Sequence, residues 1–247
     1  MLKLENIHVS YGKTTILHDI SLDILPGEIV GIIGPNGCGK TTLLNAVSGF
    51  IKNSSGSLLF NENDITGFSA HHRAVEGIGR SFQQAGVFKE MTVEENLMLA
   101  IEHKEKYPWW WRFSRKMRNQ ADRQICDLLS DVNLLGHKKS VAGVLSGGQL
   151  RLLELLRLRI SGGKLLLIDE PTAGVAPVMR QELASLIKSL MEDESRSIII
   201  VEHDLKFLFS LVDRVIVLVD GEKYIEGDPE SIKKDKRLQE VYFGTES

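Results

Sequence analysis

A nine-residue stretch beginning at Gly34 limits the possible fold of this chain more than any other feature of its sequence. It matches the phosphate-binding pattern G-x-x-x-x-G-K-[ST] and continues by one threonine: Gly34, Pro35, Asn36, Gly37, Cys38, Gly39, Lys40, Thr41 and Thr42. The apolar run at 28–33 predicts a buried strand before it, and 42–48 predicts a helix that ends at Gly49. A strand, a glycine-rich turn and a helix N-terminus direct backbone N–H groups at one point, where the helix dipole favours an anion. The sequence therefore predicts an α/β fold that binds a nucleoside triphosphate.

The side chains of this loop suit that task. Glycine at 34, 37 and 39 leaves out side chains that would keep a phosphate away from the backbone. Lys40 is expected to neutralise the β- and γ-phosphates, and Thr41 to offer its hydroxyl to Mg²⁺. An ordinary glycine-rich turn is the alternative, but it does not require the strand, the Lys-Thr pair and the helix in this order.

Composition sets outer limits on fold and partners. With 247 residues the chain can form one large α/β domain, or one domain with a subdomain. The net charge of -3 argues against binding of nucleic acid by overall electrostatic attraction, so no nucleic-acid partner is expected. Its two cysteines, Cys38 and Cys126, imply neither a disulfide framework nor a metal site. No apolar run approaches the roughly 18 residues of a membrane span, which predicts a cytosolic chain whose membrane partners, if any, are other chains.

Two further apolar runs end in polar side chains. Residues 164–168 predict a buried strand followed by Asp169 and Glu170, and residues 197–201 predict another, after which His203 follows. Ligands of open parallel sheets gather outside the carboxyl ends of the strands. Asp169 is therefore expected to hold Mg²⁺ opposite the phosphate loop, and Glu170 to polarise a water. A lone histidine at a strand end is more often structural, but a third polar residue at a third strand end favours a functional role for His203.

A second glycine-rich stretch opens a strongly apolar helix that runs through Ile160. Ser146 and Gln149 form a capping box, which would explain them structurally. Gly147 and Gly148, however, are unfavourable in a first helical turn and unnecessary for capping. They make sense if a ligand approaches that backbone closely, and a phosphate at the helix N-terminus is the natural candidate.

Two features leave alternatives open. Tyr11, before Gly12 at a predicted strand end, either packs at the sheet edge or stacks on a nucleotide base. Residues 104–123 contain seven basic and two acidic side chains and enclose three consecutive tryptophans, 109–111. Helical spacing favours an amphipathic helix for the second half of this region. The tryptophans either face a partner or pack within a subdomain.

With these residues assembled, the chain resembles the nucleotide-binding subunits of ATP-binding-cassette (ABC) transporters over its whole length. Six motifs stand in the order of that family: Tyr11, the loop from Gly34 to Thr41, Gln83, the signature motif Leu145 to Gln149, Asp169 with Glu170, and His203. Within the family it is most similar to the ATPases of branched-chain amino-acid importers, through the strings at 80–83, 91–97, 173–177, 225–227 and 241–244. Urea importers and others share most of these strings.

The resemblance implies the fold class in detail. We expect a P-loop NTPase core with a mainly parallel sheet, an N-terminal antiparallel β subdomain and a helical subdomain that carries the signature motif. The whole chain, 1–247, is then a single ABC ATPase domain, with the ATP-binding core at about 1–83 and 160–247 and the helical subdomain at about 84–159.

The resemblance also implies roles for the motifs. Two subunits meet head-to-tail, with each ATP between one phosphate loop and the other subunit's signature motif. Tyr11 then stacks on adenine, Gln83 senses the metal and the water beside the membrane partner, and His203 contacts the γ-phosphate. Ser146 and Gly148 contact the γ-phosphate of the opposite site. Glu170 acts as the general base or orients the attacking water.

The partners implied are transmembrane permease subunits, a second ABC ATPase that is identical or different, and a solute-binding protein. Such a chain lies in the cytoplasm, peripheral on the inner face of the cell membrane. A soluble ABC ATPase of cofactor assembly is the main alternative, and a nucleotide-gated module without hydrolysis is another, against which Glu170 argues.

Two departures from the family pattern stand out. Ala176 replaces the aspartate that usually links the two sites across the dimer, so that link must come from the backbone or be absent. Residues 158–164 lack the small residues and the proline usual there. Neither change removes a catalytic group, and both bear on coupling and turnover rather than on ATP binding.

Overall fold

A computed structural model describes residues 1–81, 86–105, 114–193, 195–235 and 238 of the chain. They divide into two compact units. The first comprises the described residues of Met1–Arg80, Lys164–Glu170 and Met191–Ser247, and the second those of Ser81–Gly163 and Pro171–Leu190. The subdomain boundaries expected from the sequence remain a prediction.

The first unit contains a four-stranded antiparallel sheet in the order β2-β1-β4-β5. Its strands are β1 (Leu2–Tyr11), β2 (Thr14–Ile24), β4 (Ser55–Phe60) and β5 (Asn63–Asp64). The predicted N-terminal antiparallel subdomain is therefore confirmed. Register shifts interrupt the pairing of β1 with β2 after Leu4, Ile7 and Val9. The shift between Leu4 and Ile7 breaks the alternation in β1, because both side chains are buried although they are three residues apart.

The same unit contains a six-stranded sheet in the order β10-β9-β3-β8-β7-β6. Its strands are β3 (Ile29–Ile33), β6 (Ile78–Arg80), β7 (Leu165–Asp169), β8 (Ser197–Val201), β9 (Arg214–Val219) and β10 (Glu222–Gly227). All neighbours pair in parallel except β9 with β10, which form an antiparallel hairpin. Every residue of β3, β7 and β8 is buried, as expected for uninterrupted apolar runs in a sheet covered on both faces. The predicted mainly parallel sheet is confirmed.

This strand order determines which loops are neighbours. Because β3, β8 and β7 are adjacent and parallel, their carboxyl ends lie side by side on one edge of the sheet. The glycine-rich loop leaves β3 at that edge and leads into helix α1 (Lys40–Ser48), which ends at Gly49 as predicted. Three shorter helices complete the described part of the unit: α2 (Ala70–Glu76), α7 (Leu205–Phe209) and α8 (Pro229–Lys233).

The second unit is helical. Its main helices are α3 (Val93–Glu105), α4 (Arg115–Asp131), α5 (Gly147–Ser161) and α6 (Arg180–Ser189). A capping box opens α3, where the Thr92 N–H donates to Glu95 Oε2 at 2.7 Å and the Glu95 N–H donates to Thr92 Oγ1 at 3.2 Å. α3 packs against both α4 and α5. Within the described ranges of the chain, no helix combines the length and the apolar character needed to cross a membrane.

Candidate active site

Part of the glycine-rich loop packs closely against neighbouring residues, and part of it is exposed. A Cβ atom at Gly34 would lie 2.2 Å from the Leu218 carbonyl oxygen, and one at Gly39 would lie 2.5 Å from Leu17 Cδ2. Gly39 also has φ 101° at the N-cap of α1, a conformation that other residues rarely adopt. A Cβ at Gly37, by contrast, would meet nothing within 4 Å. Glycine at 34 and 39 is therefore required by the protein's own packing, while Gly37 lies on the exposed rim.

Lys40 is held against the backbone of its own loop. Its side chain is nearly buried, and Nζ donates hydrogen bonds to the carbonyls of Gly34 at 2.8 Å and Pro35 at 3.0 Å. These contacts fix the ammonium group inside the curve of the loop. Thr41 and Thr42 are half-buried in the first turn of α1, whose N-terminus faces the loop. Burial raises the pKa of the Cys38 thiol above its usual range, although Lys40 acts in the opposite direction.

Asp169 and Glu170 stand where the sequence predicted them, at the carboxyl end of β7. Asp169 is 1% exposed, whereas the Glu170 side chain is about a quarter exposed. Glu170 has φ 46°, in the left-handed region, and its N–H donates to the Val201 carbonyl of β8 at 2.8 Å. A non-glycine residue in this conformation is held there by its surroundings. The backbone therefore turns sharply between two neighbouring carboxylates and directs them into different environments.

The structure brings Glu170 and His203 into direct contact. His203 Nε2 lies 3.0 Å from Glu170 Oε1, a hydrogen bond whose donor depends on the histidine tautomer. The backbone of His203 is fixed by the buried Glu202, whose Oε1 accepts from the His203 N–H at 2.9 Å and from the Asp204 N–H at 3.2 Å. Asp204 in turn caps α7. The sequence did not indicate this Glu170–His203 pair, although it placed each residue at a strand end.

The residues at this edge have the donor atoms that magnesium prefers. Mg²⁺ binds hard oxygen ligands, commonly one or two protein groups together with phosphate oxygens and water. Asp169 supplies a buried carboxylate at the end of β7, and Thr41 supplies a hydroxyl on α1, a helix that packs against β7. The donor set therefore fits Mg²⁺ bound together with a triphosphate.

The signature segment, from Leu145 to Gln149, lies in the second unit. Its capping box is confirmed, because the Gln149 N–H donates to Ser146 Oγ at 3.3 Å and the Ser146 N–H donates to Gln149 Oε1 at 2.9 Å. A Cβ on Gly148 would lie 2.6 Å from Met179 Sδ, and one on Gly147 would lie 3.0 Å from the Gly174 carbonyl oxygen. Packing against the segment that follows α5 and β7 in the chain thus accounts for glycine here. Ser146 and Gly147 are exposed, so that helix N-terminus is accessible.

Three further predictions have different outcomes. Tyr11 stands at the end of β1 and is 51% exposed, so its ring is not packed away at the sheet edge. Its stacking on a base remains a prediction. Gln83 and the tryptophans 109–111 lie outside the described residues.

Sequence reasoning overlooked Arg80 as a member of this site. Arg80 ends β6, beside β7, and its Nη2 lies 3.5 Å from Asp169 Oδ2. Nη1 donates to Ser48 Oγ at 2.7 Å, and Cζ lies 5.7 Å from the centre of the Phe50 ring. Burial lowers the pKa of the Arg80 guanidinium, although Asp169 opposes that effect. The sequence did carry one signal for Arg80. Like Asp169, it is the last residue of a strand, here the short strand that begins with Ile78.

Comparison with known proteins agrees with these observations. The model of the family described as "ABC transporter" matches residues 17–173. The chain is 32% identical to the high-affinity branched-chain amino acid transport ATP-binding protein LivG of Escherichia coli (strain K12), over 99% of this chain and 98% of LivG. It is 31% identical to the lipopolysaccharide export system ATP-binding protein LptB of Haemophilus influenzae, over 99% and 97% of the two chains. Among solved structures, it is similar to the ADP conformation of MJ1267, an ATP-binding cassette of an ABC transporter, with TM-score 0.83 and 31% identity over 99% and 98%.

Proposed function

The chain belongs to the ABC transporter family as an ATPase of that family, and from this we propose that it powers a membrane importer of branched-chain amino acids. The proposal is carried by one observation of the site: Glu170 and His203 form a hydrogen-bonded pair on the sheet edge from which the phosphate loop leaves. A base paired with an orienting histidine serves hydrolysis, whereas a binding module needs neither. The import of branched-chain amino acids is supported by the similarity to LivG over nearly the whole of both chains.

Binding begins at the phosphate loop. The backbone N–H groups between Gly34 and the first turn of α1 receive the phosphates, and Lys40 adds a positive charge that the loop carbonyls already hold in place. When bound, Mg²⁺ neutralises charge that develops on the β- and γ-phosphate oxygens. In this proposal Asp169 and Thr41 hold the ion, and Tyr11 stacks its exposed ring on the adenine.

Hydrolysis then depends on Glu170. Its carboxylate orients a water molecule and accepts a proton from it as the water oxygen bonds to the γ-phosphorus and the bond to the ADP oxygen breaks. The hydrogen bond from His203 fixes the carboxylate, and in the proposal His203 also donates to the γ-phosphate. The Glu170 side chain, about a quarter exposed, is accessible to water, whereas Asp169 is buried. This difference in exposure supports the separate roles of the two neighbouring acids.

Transport requires partners. We propose that two ATPase subunits close over ATP, with Ser146 and Gly148 of one subunit on the γ-phosphate bound by the other. The exposed N-terminus of α5 supports this, since a helix N-terminus favours an anion. Permease subunits cross the membrane, Gln83 relays the nucleotide state to them, and a solute-binding protein delivers the solute. The chain then works on the inner face of the cell membrane.

Affinity capture tests this proposal. A tagged Glu170→Gln chain is purified from detergent-solubilised native membranes with ATP and Mg²⁺, alongside Lys40→Ala as a matched control in which nucleotide binding should be weakened. The expected result is recovery of a multi-spanning chain with Glu170→Gln, together with a solute-binding protein. That binding protein should gain thermal stability from leucine, isoleucine or valine. Stabilisation by urea instead would overturn the solute, and repeated recovery of soluble proteins alone would favour an ATPase of cofactor assembly.

A second solute class is kept open by one comparison. The similarity to LptB, which is named for lipopolysaccharide export, is almost as high as the similarity to LivG. If the captured permease comes without a solute-binding protein, export becomes the better proposal.

A further inference from the structure

Arg80 connects three parts of the first unit at one buried point. Its side chain is 7% exposed, and its two Nη atoms reach different partners. Nη1 donates to Ser48 Oγ at 2.7 Å, and Nη2 lies 3.5 Å from Asp169 Oδ2. One face of the guanidinium lies against Phe50. A single side chain on β6 therefore touches the last turn of α1 and the carboxylate at the end of β7.

The connection to α1 is itself anchored. Ser48 Oγ donates to the Leu44 carbonyl one turn earlier, at 2.7 Å, and accepts the hydrogen bond from Arg80. α1 is the helix that carries Lys40 and Thr41 in its first turn. The carboxylate of Asp169 is thus tied, through Arg80 and Ser48, to the helix that holds the phosphate loop.

We propose that Arg80 is a positioning residue that orients the Asp169 carboxylate for Mg²⁺. This inference rests on the metal role proposed above for Asp169. A buried carboxylate can rotate about its side-chain bonds unless neighbouring groups hold it, and partners of metal ligands typically change metal affinity 10- to 100-fold when they are removed. At 3.5 Å the contact is longer than an ordinary hydrogen bond, so Arg80 restrains Asp169 mainly through the attraction of opposite charges.

Arginine suits this position better than lysine. The planar guanidinium presents several donors in a fixed arrangement, so Nη1 and Nη2 can serve Ser48 and Asp169 together. A lysine keeps the charge but has one nitrogen on a flexible chain. Arg80→Lys should therefore restore only part of the function that Arg80→Met loses.

The test measures metal dependence rather than activity. Binding of a fluorescent ATP analogue to the full chain is followed as Mg²⁺ is titrated, and again in EDTA. For Arg80→Met, the Mg²⁺ concentration at half-saturation should rise about 10-fold or more, with an intermediate rise for Arg80→Lys. Analogue binding in EDTA should stay within about 2-fold of wild type, since the phosphate loop is intact. An unchanged or lower Mg²⁺ requirement in Arg80→Met would overturn the proposal.

Arg73 provides a matched structural control. It is also a buried arginine, on α2, and its Nη1 donates to the carbonyls of Ala46 at 2.5 Å and Val47 at 2.9 Å in the last turn of α1. Arg73→Met should lower the melting temperature without changing the Mg²⁺ requirement. If Arg80→Met fails to fold, Arg80→Lys carries the test alone.

Asp169→Asn separates this inference from the proposed function. If Asp169→Asn leaves the Mg²⁺ requirement unchanged, the metal role of Asp169 is wrong and the inference falls with it. If Asp169→Asn raises the requirement and the Arg80 variants do not, only the role of Arg80 is wrong.

Discussion

Glu170→Gln removes a base without removing a hydrogen-bonding partner of His203. Glu170 Oε1 lies 3.0 Å from His203 Nε2. A glutamine amide at that place can accept a hydrogen bond from Nε2–H or donate one to a bare Nε2, so either tautomer keeps the contact. The backbone at φ 46° and its hydrogen bond to Val201 do not involve the changed atoms. The substitution should therefore preserve the geometry and abolish only proton acceptance.

The size of the effect follows from what is removed. General-base catalysis contributes typically 10²- to 10⁴-fold, and each tenfold corresponds to about 1.36 kcal/mol of activation free energy. Glu170→Gln should thus raise the barrier by about 3–5 kcal/mol. ATP affinity should stay within about 2-fold of wild type, because the phosphate loop and Asp169 are unchanged.

The assay follows one turnover. Radiolabelled ATP and Mg²⁺ are mixed with excess protein, and both phosphate release and oligomeric state are measured. In the variant we expect phosphate release to slow by about 10²- to 10⁴-fold and an ATP-bound dimer to accumulate, which size-exclusion chromatography with light scattering detects.

Glu62→Gln is the matched control for this experiment. Glu62 is an exposed glutamate that also has a positive φ, 69°, on the turn between β4 and β5. The same substitution there should leave turnover unchanged. Phosphate release by Glu170→Gln at the wild-type rate would refute the assignment of Glu170 as the base.

Lys40→Ala should weaken ATP binding by at least about 10-fold, because a hydrogen bond to a charged group contributes about 1.5–3 kcal/mol; unchanged affinity in a fluorescence titration would contradict this. Ser146→Ala and Thr92→Ala should each lower the free energy of unfolding by about 1 kcal/mol through loss of a helix cap, but only Ser146→Ala should lower ATPase activity at equal protein concentration. Burial acts to raise the pKa of Glu28, but hydrogen bonds from Arg214 and from a backbone N–H outweigh it and hold that pKa below its usual range. Since the folded-state pKa is depressed, the stabilisation is present above about pH 4.3 and is lost as pH falls through the folded value. The difference in urea midpoint between wild type and Glu28→Gln should therefore shrink on acidification, and a difference that grows would contradict the pairing.

Much of the sheet was predictable because its strands are simple in sequence. β3, β7 and β8 are buried on both faces, and each appears as an uninterrupted apolar run. β1 and β2 have a less regular pattern, since bulges shift their register. The sequence analysis did not identify α2, although Ser69 caps its start and Gly77 ends it with φ 110°. The capping signals were present, but the helix is too short for apolar periodicity to reveal it.

The residues of the proposed active site could be predicted from their positions after apolar runs. Parallel strands bring their carboxyl ends to one edge, so polar residues that follow apolar runs are expected to meet there. Asp169, Glu170 and His203 were found in this way. The contact between Glu170 and His203 was not, because it depends on the left-handed turn at Glu170, which no residue type signals.

Residues that contact the proposed metal ligand are harder to predict from the sequence, as Arg80 shows. β6 pairs with β7, with Ile78 opposite Leu165, although the whole of α3, α4 and α5 lies between them in the chain. An apolar run indicates that a strand is buried, but it does not indicate which strand lies beside it. Once β6 is placed next to β7, a side chain at the end of β6 lies beside Asp169, and an arginine there puts a positive charge next to a carboxylate whose burial is unfavourable without such partners. The arginine at position 80 is thus a consequence of strand order, and its chemical meaning becomes visible only when that order is known.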